Sequence, residues 1–471
     1  MTFDDDFTIT IAGARIVTPD QVAVINPATG KAFASAPAAD AALLDRAVDA
    51  AQTAFPQWRD TPIVERRRAL LALADAIEAN AAGFGALFTR EQGRPLALAT
   101  REILSGATWL RAVVAQDVPV EVVEDSATRR VEVHHVPFGV VAAIVPWNFP
   151  FLLTIWKIAP ALLTGNTVVL KPSPYTPLCA LKLGELARDI LPAGVFNVLS
   201  GDDALGPLIS SHSGFAKISF TGSTATGKKV MEAASRDLKR ITLELGGNDA
   251  AIVLPDADPD TVADAMFAGA FFNSAQVCIA TKRLYVHADI YDAVRDRLHA
   301  RLLAAVVGDG ETPGVTHGPV QNLAQYRRVT ALIADAEANG LTLLRGSSVS
   351  QGEGYFIPLT LVDNPPEDAA VVCEEAFGPV LPMMRFSDID DVIDQANCSE
   401  YGLAGSVWSE DIDAAVAIAK RMDTGSIWIN QNRQVAPHVP FSGFKQSGIG
   451  VENGRAGLLE FTQSKSIYIP K

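Results

Sequence analysis

The chain has 471 residues, 48% hydrophobic and 20% charged, with 39 Lys plus Arg against 54 Asp plus Glu for a formal net charge of −15. Length sets a prior of roughly three domain-sized units, and the apolar content excludes general disorder. The acid surplus argues against nucleic acid or an anionic membrane as main partner, while leaving small anionic ligands open.

The N-terminal segment MTFDDDFTITIAG is acidic at once and lacks the basic and apolar regions of a signal peptide. Nowhere are there ~18 uninterrupted apolar residues; the richest run, Val140 to Leu170, is broken by Pro146, Asn148, Pro150, Lys157, Pro160 and Asn166. The 4 cysteines (Cys179, Cys278, Cys373, Cys398) include no C-x-x-C pair, so a reducing, cytoplasmic setting is expected.

Residues 20–36 alternate around the turn Asn26–Gly30 and read as a hairpin. From Asp40 to about Leu110 the pattern turns helical, with Leu44, Ala47, Val48, Ala51 and then Leu70, Leu73, Ala74, Ile77 at helical spacing. Arg66, Arg67 and Arg68 read as a solvated or salt-bridged face. Residues 118–137 form a second hairpin pattern, and the tail Lys465–Pro470 alternates again. Two such stretches suit an arm that pairs with another subunit; an ordinary edge hairpin is the alternative.

Between Gly139 and Asp249 strands and helices alternate: strands at 140–145, 166–171, 195–199 and 217–220, helices at 151–163, 177–191, 204–211 and 226–234. Repeated β-α units predict a parallel sheet covered by helices, with ligands at the carboxyl ends of strands. Residues 250–445 continue in the same style, with strands at 251–253, 283–286, 380–385 and 426–430 and helices at 261–272 and from Ile290. The expectation is two α/β units joined near Glu244, plus a small third part.

Several short segments carry candidate chemistry. Cys278 ends FFNSAQVC, at a break after a helix and behind two amides, whereas Cys179 and Cys398 read as small core residues. Glu244 closes a strand before Gly246-Gly247-Asn248, where α/β proteins place functional groups. Asn148 lies in the rigid loop Pro146-Trp147-Asn148-Phe149-Pro150 and is a candidate hydrogen-bond donor. Phe220-Thr221-Gly222-Ser223 leads from a strand into a helix, whose free N–H groups can hold a phosphate. Among 7 histidines the only close pair is His134-His135, so no metal is implied.

Taken together, PWNFP, VVLKPSPYTP, FTGSTATG, LELGGN, FFNSAQVC, EEAFGPV and PFSGFKQSG occur in one order from Pro146 to Gly448. With YGL at Tyr401 and GSIWIN at Gly425, the set closely resembles the aldehyde dehydrogenase superfamily, in its hydrolytic NAD(P)-dependent branch. The resemblance implies an α/β fold: a Rossmann-like cofactor domain (1–117 and 138–246), an α/β catalytic domain (247–445) and a small β oligomerisation arm (118–137 and 455–471). It implies an enzyme that oxidises an aldehyde to the acid, in a homodimer or homotetramer with no nucleic acid or membrane partner.

By the same resemblance Cys278 is the nucleophile, Asn148 the oxyanion donor with the Cys278 backbone N–H, and Glu244 the base that activates water on the thioester. Cofactor contacts fall to Ile144, Pro146, Trp147, Lys171, Ser173, Pro174, Phe220, Gly222, Ser223, Thr226, Gly246, Glu375 and Phe377. Lys171 would hold the adenine ribose, and Glu375 the nicotinamide ribose. Where NAD-selective relatives carry a glutamate that repels a 2′-phosphate, this chain has Pro174; NAD is the first expectation and NADP is allowed. Ala275 stands where the family has glycine.

The substrate mouth is expected from Phe149, Thr154, Trp156, Val277, Ile279 and the loop Gln431–Phe441, ending in Phe441. This apolar set favours a hydrophobic aliphatic or aromatic aldehyde. Arg433 and His438 on that loop could bind a carboxylate, though an outward-facing arginine is the preferred reading. A CoA-acylating relative and a catalytically silent binding protein are the alternatives; the presence of Glu244, Cys278 and Asn148 argues against both.

Overall fold

The structure is a computed structural model describing residues 2–349 and 353–471. Strands Val140–Ile144, Thr167–Lys171 and Lys217–Thr221 are buried at every position, as befits central parallel strands covered on both faces. They belong to a sheet with parallel spatial order Phe196–Val198, Thr167–Lys171, Val140–Ile144, Lys217–Thr221, Arg240–Glu244. The hairpin Ile9–Ile11 and Ala14–Ile16 extends one edge, and Gly448–Ile449 pairs antiparallel with Arg240–Glu244 at the other.

The parallel part of this sheet starts at Val140–Ile144, builds outward to one side, then returns to the other at Lys217–Thr221. Consecutive connections therefore leave in opposite directions between these two neighbours, and a crevice opens beyond their carboxyl ends. That crevice receives the loops starting at Val145 and Gly222.

The second sheet runs Thr342–Arg345, Thr360–Asp363, Val380–Phe386, Arg283–His287, Ala250–Val253, Ala404–Trp408, Ser426–Ile429. Only its first pair is antiparallel. Ile252, Tyr285 and Val407 feed a cluster on one face, and Ala251, Val253, Leu284 and Trp408 one on the other. This is the two-residue alternation of a strand packed on both sides.

Four helices, Ala41–Asp60, Ile63–Ala79, Ala81–Gln92 and Leu96–Val114, fill the segment read as helical, and the periodic positions in the first two are buried. One expectation fails here. Arg66 is not on a solvated face: it is 9% exposed, and it donates to the carbonyls of Arg59, Thr61 and Leu163. It caps the carboxyl ends of two helices, where carbonyls lack intrahelical partners. Cys398 is also corrected, being exposed rather than core, while Cys179 is buried.

The tail strand Thr462–Pro470 pairs antiparallel with Arg129–Pro137, which carries Glu121–Asp125 on its other side. The two alternating stretches thus find each other within one chain. Val122, Val123 and Tyr468 stay exposed on this small sheet. Among the described residues no single helix is long and apolar enough to cross a membrane.

Candidate active site

Three strand ends and one loop supply the site. After Ile144 the chain runs through Pro146 and Trp147 to Asn148, then Pro150 opens helix Pro150–Leu163 at a position where a missing N–H costs nothing. Asn148 is 4% exposed, and its Nδ2 donates to the Gln276 carbonyl at 3.0 Å. After Thr221 the chain turns at Gly222 into helix Thr224–Ser235, where Ser223 caps by accepting from the Thr226 N–H. A Cβ on Gly222 would lie 2.5 Å from the Phe220 ring, so only glycine lets the turn sit this close. After Glu244 come Leu245, Gly246 and Gly247.

The fourth element is the Cys278 loop. Helix Pro259–Phe271 ends in a tight turn where Asn273, Ser274 and Ala275 have φ of 53°, 52° and 61°. Three consecutive non-glycine residues in the left-handed region cost about 1–2 kcal/mol each and persist only if their surroundings hold them. Ala275, in the family's glycine position, is one of these.

Hydrogen bonds supply the restraint. Ser274 Oγ donates to Gly318 O at 2.7 Å, Gln276 Nε2 to Asn273 O at 2.9 Å, and the Gln321 N–H to Gln276 Oε1 at 2.8 Å. Arg94 binds both halves of the site: its Nε donates to Asn273 Oδ1 at 3.0 Å and its Nη2 to the Asn148 carbonyl at 2.8 Å. Its Nη1 pairs with Glu102, both side chains being almost fully buried. Phe149 stacks below the Arg94 guanidinium at 4.3 Å. Sequence reading missed Arg94, because an arginine between Gly93 and Pro95 carries no local signal.

Burial dominates the electrostatics. It pushes the Cys278 thiol up to about 12; Lys282 pulls it down, while Asp249, Glu244 and Glu375 oppose ionisation. Burial, and then the charge of Glu452, raises the Glu244 carboxyl well above the usual range, with Lys157 pulling the other way. Glu244 is 4% exposed, and neither carboxylate oxygen has a hydrogen-bond partner. A buried orphan acid is expensive, and in a cleft it marks a functional candidate. Lys157 Nζ is 2.5 Å from Glu452 Oε1 and donates to Ser219 Oγ at 3.1 Å. Neither Lys157 nor Glu452 was singled out from sequence; they are nearly 300 positions apart.

A cavity of about 280 Å³ lies in the crevice. Of the residues read from sequence, Pro146, Trp147, Asn148, Gly222, Ser223, Gly246, Cys278, Glu375 and Phe377 line it. Trp147 and Phe377 meet edge to face at 5.4 Å, with Phe377 at φ 50°. Glu375 accepts from the Gly247 N–H at 3.1 Å, and a Cβ on Gly246 would lie 2.3 Å from its Oε2. Gly246 thus makes room for that carboxylate, and Gly247 donates to it. The cavity also takes in Gln325, Arg328 and Tyr401, the first two from a helix whose pattern gave no hint of function.

The remaining expected contacts lie outside this lining. Ile144, Lys171, Ser173, Pro174, Phe220 and Thr226 are not among the cavity's lining residues. Lys171 is 5% exposed, its Nζ donates to Pro172 O at 3.2 Å, and burial lowers it to about 8 against the pull of Asp203 and Asp202. Of the expected substrate residues, Trp156, Val277, Ile279 and Phe441 are buried, while Phe149 is half-buried. Trp156 contacts Phe441 at 5.7 Å and Phe149 stacks with Phe272 at 6.3 Å. The outward-facing reading of Arg433 is corrected: its guanidinium lies 4.5 Å over the Phe272 ring, and its Nε is buried without a partner.

The donor set suits a dinucleotide. A helix start with free N–H groups and the orphaned Thr221 hydroxyl can meet a pyrophosphate, and Glu375 can accept from sugar hydroxyls.

The model of the Aldehyde dehydrogenase family matches residues 16–467. Aldehyde dehydrogenase LUC3 of a Fusarium species is 43% identical over 449 residues, covering 95% of each chain. Phenylacetaldehyde dehydrogenase of Pseudomonas fluorescens is 40% identical over 466 residues, covering 95% of this chain and 92% of the other. The crystal structure of an Escherichia coli NADP-dependent enzyme superposes with a TM-score of 0.95 at 36% identity, covering 99% of this chain and 98% of that one.

Proposed function

Since the chain belongs to the aldehyde dehydrogenase family and oxidises aldehydes with NAD(P) as acceptor, we propose that Cys278 is its nucleophile, Asn148 its oxyanion donor and Glu244 its base. The observation that carries this reading is the buried, unpartnered Glu244 carboxylate beside a cavity lined by both Asn148 and Cys278.

Cys278 Sγ, as thiolate, attacks the aldehyde carbonyl carbon. The carbonyl π pair moves onto oxygen, and the Asn148 amide with the Cys278 N–H meets the new charge. A bound dinucleotide would supply the acceptor for the hydride on this carbon. The thioester left on Cys278 is attacked by water, whose proton Glu244 accepts; the C–S bond breaks and the carboxylic acid leaves. A base at Glu244 favours hydrolysis over transfer to CoA.

Gly222, Ser223 and the start of helix Thr224–Ser235 would hold the dinucleotide's pyrophosphate. Glu375 would take the nicotinamide ribose and Lys171 the adenine ribose, with Ile144, Pro146, Trp147, Ser173, Pro174, Phe220, Thr226, Gly246 and Phe377 as the other residues that would hold the cofactor. NAD is the preferred acceptor. The substrate is a hydrophobic aldehyde, in line with the apolar Phe149, Trp156, Val277, Ile279 and Phe441 and the phenylacetaldehyde-oxidising relative.

The cofactor domain comprises 1–117 and 138–246 and the catalytic domain 247–445, a division supported by the two large sheets. Segments 118–137 and 455–471 form an arm that joins subunits into a homodimer or homotetramer, as the exposed Val122, Val123 and Tyr468 suggest. Four unpaired cysteines fit a cytoplasmic location. The test is turnover of an aldehyde panel by wild type and Cys278→Ala, with cofactor affinity measured on both. Loss of turnover with cofactor affinity retained is expected; activity surviving in Cys278→Ala would refute the assignment.

A further inference from the structure

The charges of Asp249, Glu244 and Glu375 oppose ionisation of the Cys278 thiol, and the charge of Lys282 acts against them. Lys282 lies four residues after Cys278, and its side chain is 6% exposed. Its ammonium has two partners. It donates to the backbone carbonyl of Cys278 itself, and it stands 3.4 Å from Glu375 Oε1.

A surface role is excluded by this burial. Removing an ammonium from water is costly unless its partners compensate. Both partners here belong to the site: the nucleophile's own peptide and the Glu375 carboxylate that lines the cavity. Sequence alone offers nothing, since Lys282 before Arg283 at the start of a strand reads as an ordinary strand-edge charge.

We propose that Lys282 is a positioning residue that fixes the Cys278 peptide, favours the thiolate by its charge, and ties that charge to the cofactor through Glu375. The proposal rests on the reading of Cys278 as nucleophile and Glu375 as ribose ligand. The ionisation it governs is simple: Sγ–H breaks, the electron pair stays on sulfur and the proton passes to water. Lys282 takes no part in the proton transfer. When Glu375 accepts from ribose hydroxyls, its negative charge is spread over those bonds. The field of the ammonium then falls more fully on Cys278. Binding and ionisation are thereby coupled, and the coupling is reciprocal.

The experiment is alkylation of the full-length enzyme by iodoacetamide across neutral to alkaline pH, with and without NAD. The rate is read at Cys278 by peptide mass, because exposed Cys373 and Cys398 also react. Lys282→Gln keeps a donor for the carbonyl but no charge, Lys282→Met keeps neither, and Lys282→Arg keeps both. At about pH 7.5 the rate falls roughly tenfold in Lys282→Gln and Lys282→Met, the effect of about one pKa unit. Lys282→Arg stays within about threefold of wild type. NAD accelerates labelling in wild type and Lys282→Arg only.

A purely structural role would lower kcat without moving the pH dependence of labelling. The proposal is overturned if Lys282→Gln, with an unchanged Tm, labels at the wild-type rate, or if Lys282→Arg is as slow as Lys282→Met. Should Lys282→Met not fold, Lys282→Gln decides. Turnover that survives Cys278→Ala sinks the nucleophile assignment itself; turnover lost there beside normal labelling in Lys282→Gln sinks only the lysine.

Discussion

Replacing Arg94 tests whether one buried pair holds the catalytic geometry. Arg94 and Glu102 have side chains 1% and 3% exposed, and Glu102 Oε1 also accepts from the Leu152 N–H at 3.0 Å. Burial alone lowers the one pKa and raises the other, against their mutual pairing. Arg94→Met leaves Glu102 buried without its partner, which costs about 3–5 kcal/mol. It also removes the bonds to Asn148 O and Asn273 Oδ1. The oxyanion donor and the Cys278 loop then lose their common anchor.

The upper bound on the kinetic effect is the loss of one oxyanion donor, roughly 10²–10³ in rate. Arg94→Met should therefore lower kcat by about tenfold to a hundredfold, with acylation rather than cofactor binding affected. The assay combines urea unfolding with stopped-flow NAD(P)H formation on Arg94→Met, Glu102→Gln and the double variant. Because the double variant carries no orphaned charge, its destabilisation should fall short of the sum of the singles by roughly 1–3 kcal/mol. The reasoning fails if Arg94→Met unfolds with wild type at full kcat, or if the single effects simply add.

Asn148→Ala should lower kcat by roughly 10²–10³ while leaving cofactor affinity intact; a variant within about threefold of wild type would remove Asn148 from its role. A base works only when ionised, so thioester hydrolysis should rise with pH across the range into which burial and Glu452 push the Glu244 carboxyl. Glu452→Gln removes the like charge and leaves Lys157, so this limb should shift to lower pH in a kcat–pH profile; an alkaline shift or none contradicts the electrostatics. Pro174→Glu restores a carboxylate against a 2′-phosphate and should raise the KM for NADP about tenfold with that for NAD little changed, as measured by steady-state titration. Equal effects on both would show that residue 174 does not face the ribose.

Much of the fold was legible because its determinants are local. The apolar runs Val140–Ile144, Thr167–Lys171 and Lys217–Thr221 can be satisfied only inside a parallel sheet. The punctuation at Pro150 and Ser223 marks where helices start. Less legible were the strands at 9–16 and 342–363 and helix Leu323–Ala338, whose short or weak patterns gain meaning only from the neighbours they pair with. Arg66 was misread because three consecutive arginines look alike until one is seen to meet the terminal carbonyls of two other helices.

The sequence by itself determined the reaction class, through an ordered set of motifs of which several follow central strands, and the identity of Cys278, Glu244 and Asn148 as the groups to examine. Tertiary structure decided what surrounds them. The Arg94–Glu102 pair, the Lys157–Glu452 pair and Lys282 against Glu375 each join residues from different elements. Their charges matter because they are buried together, where a low dielectric strengthens charge–charge interactions and water screens them little. Burial is a property of the assembled fold, so no local pattern of residues could announce it.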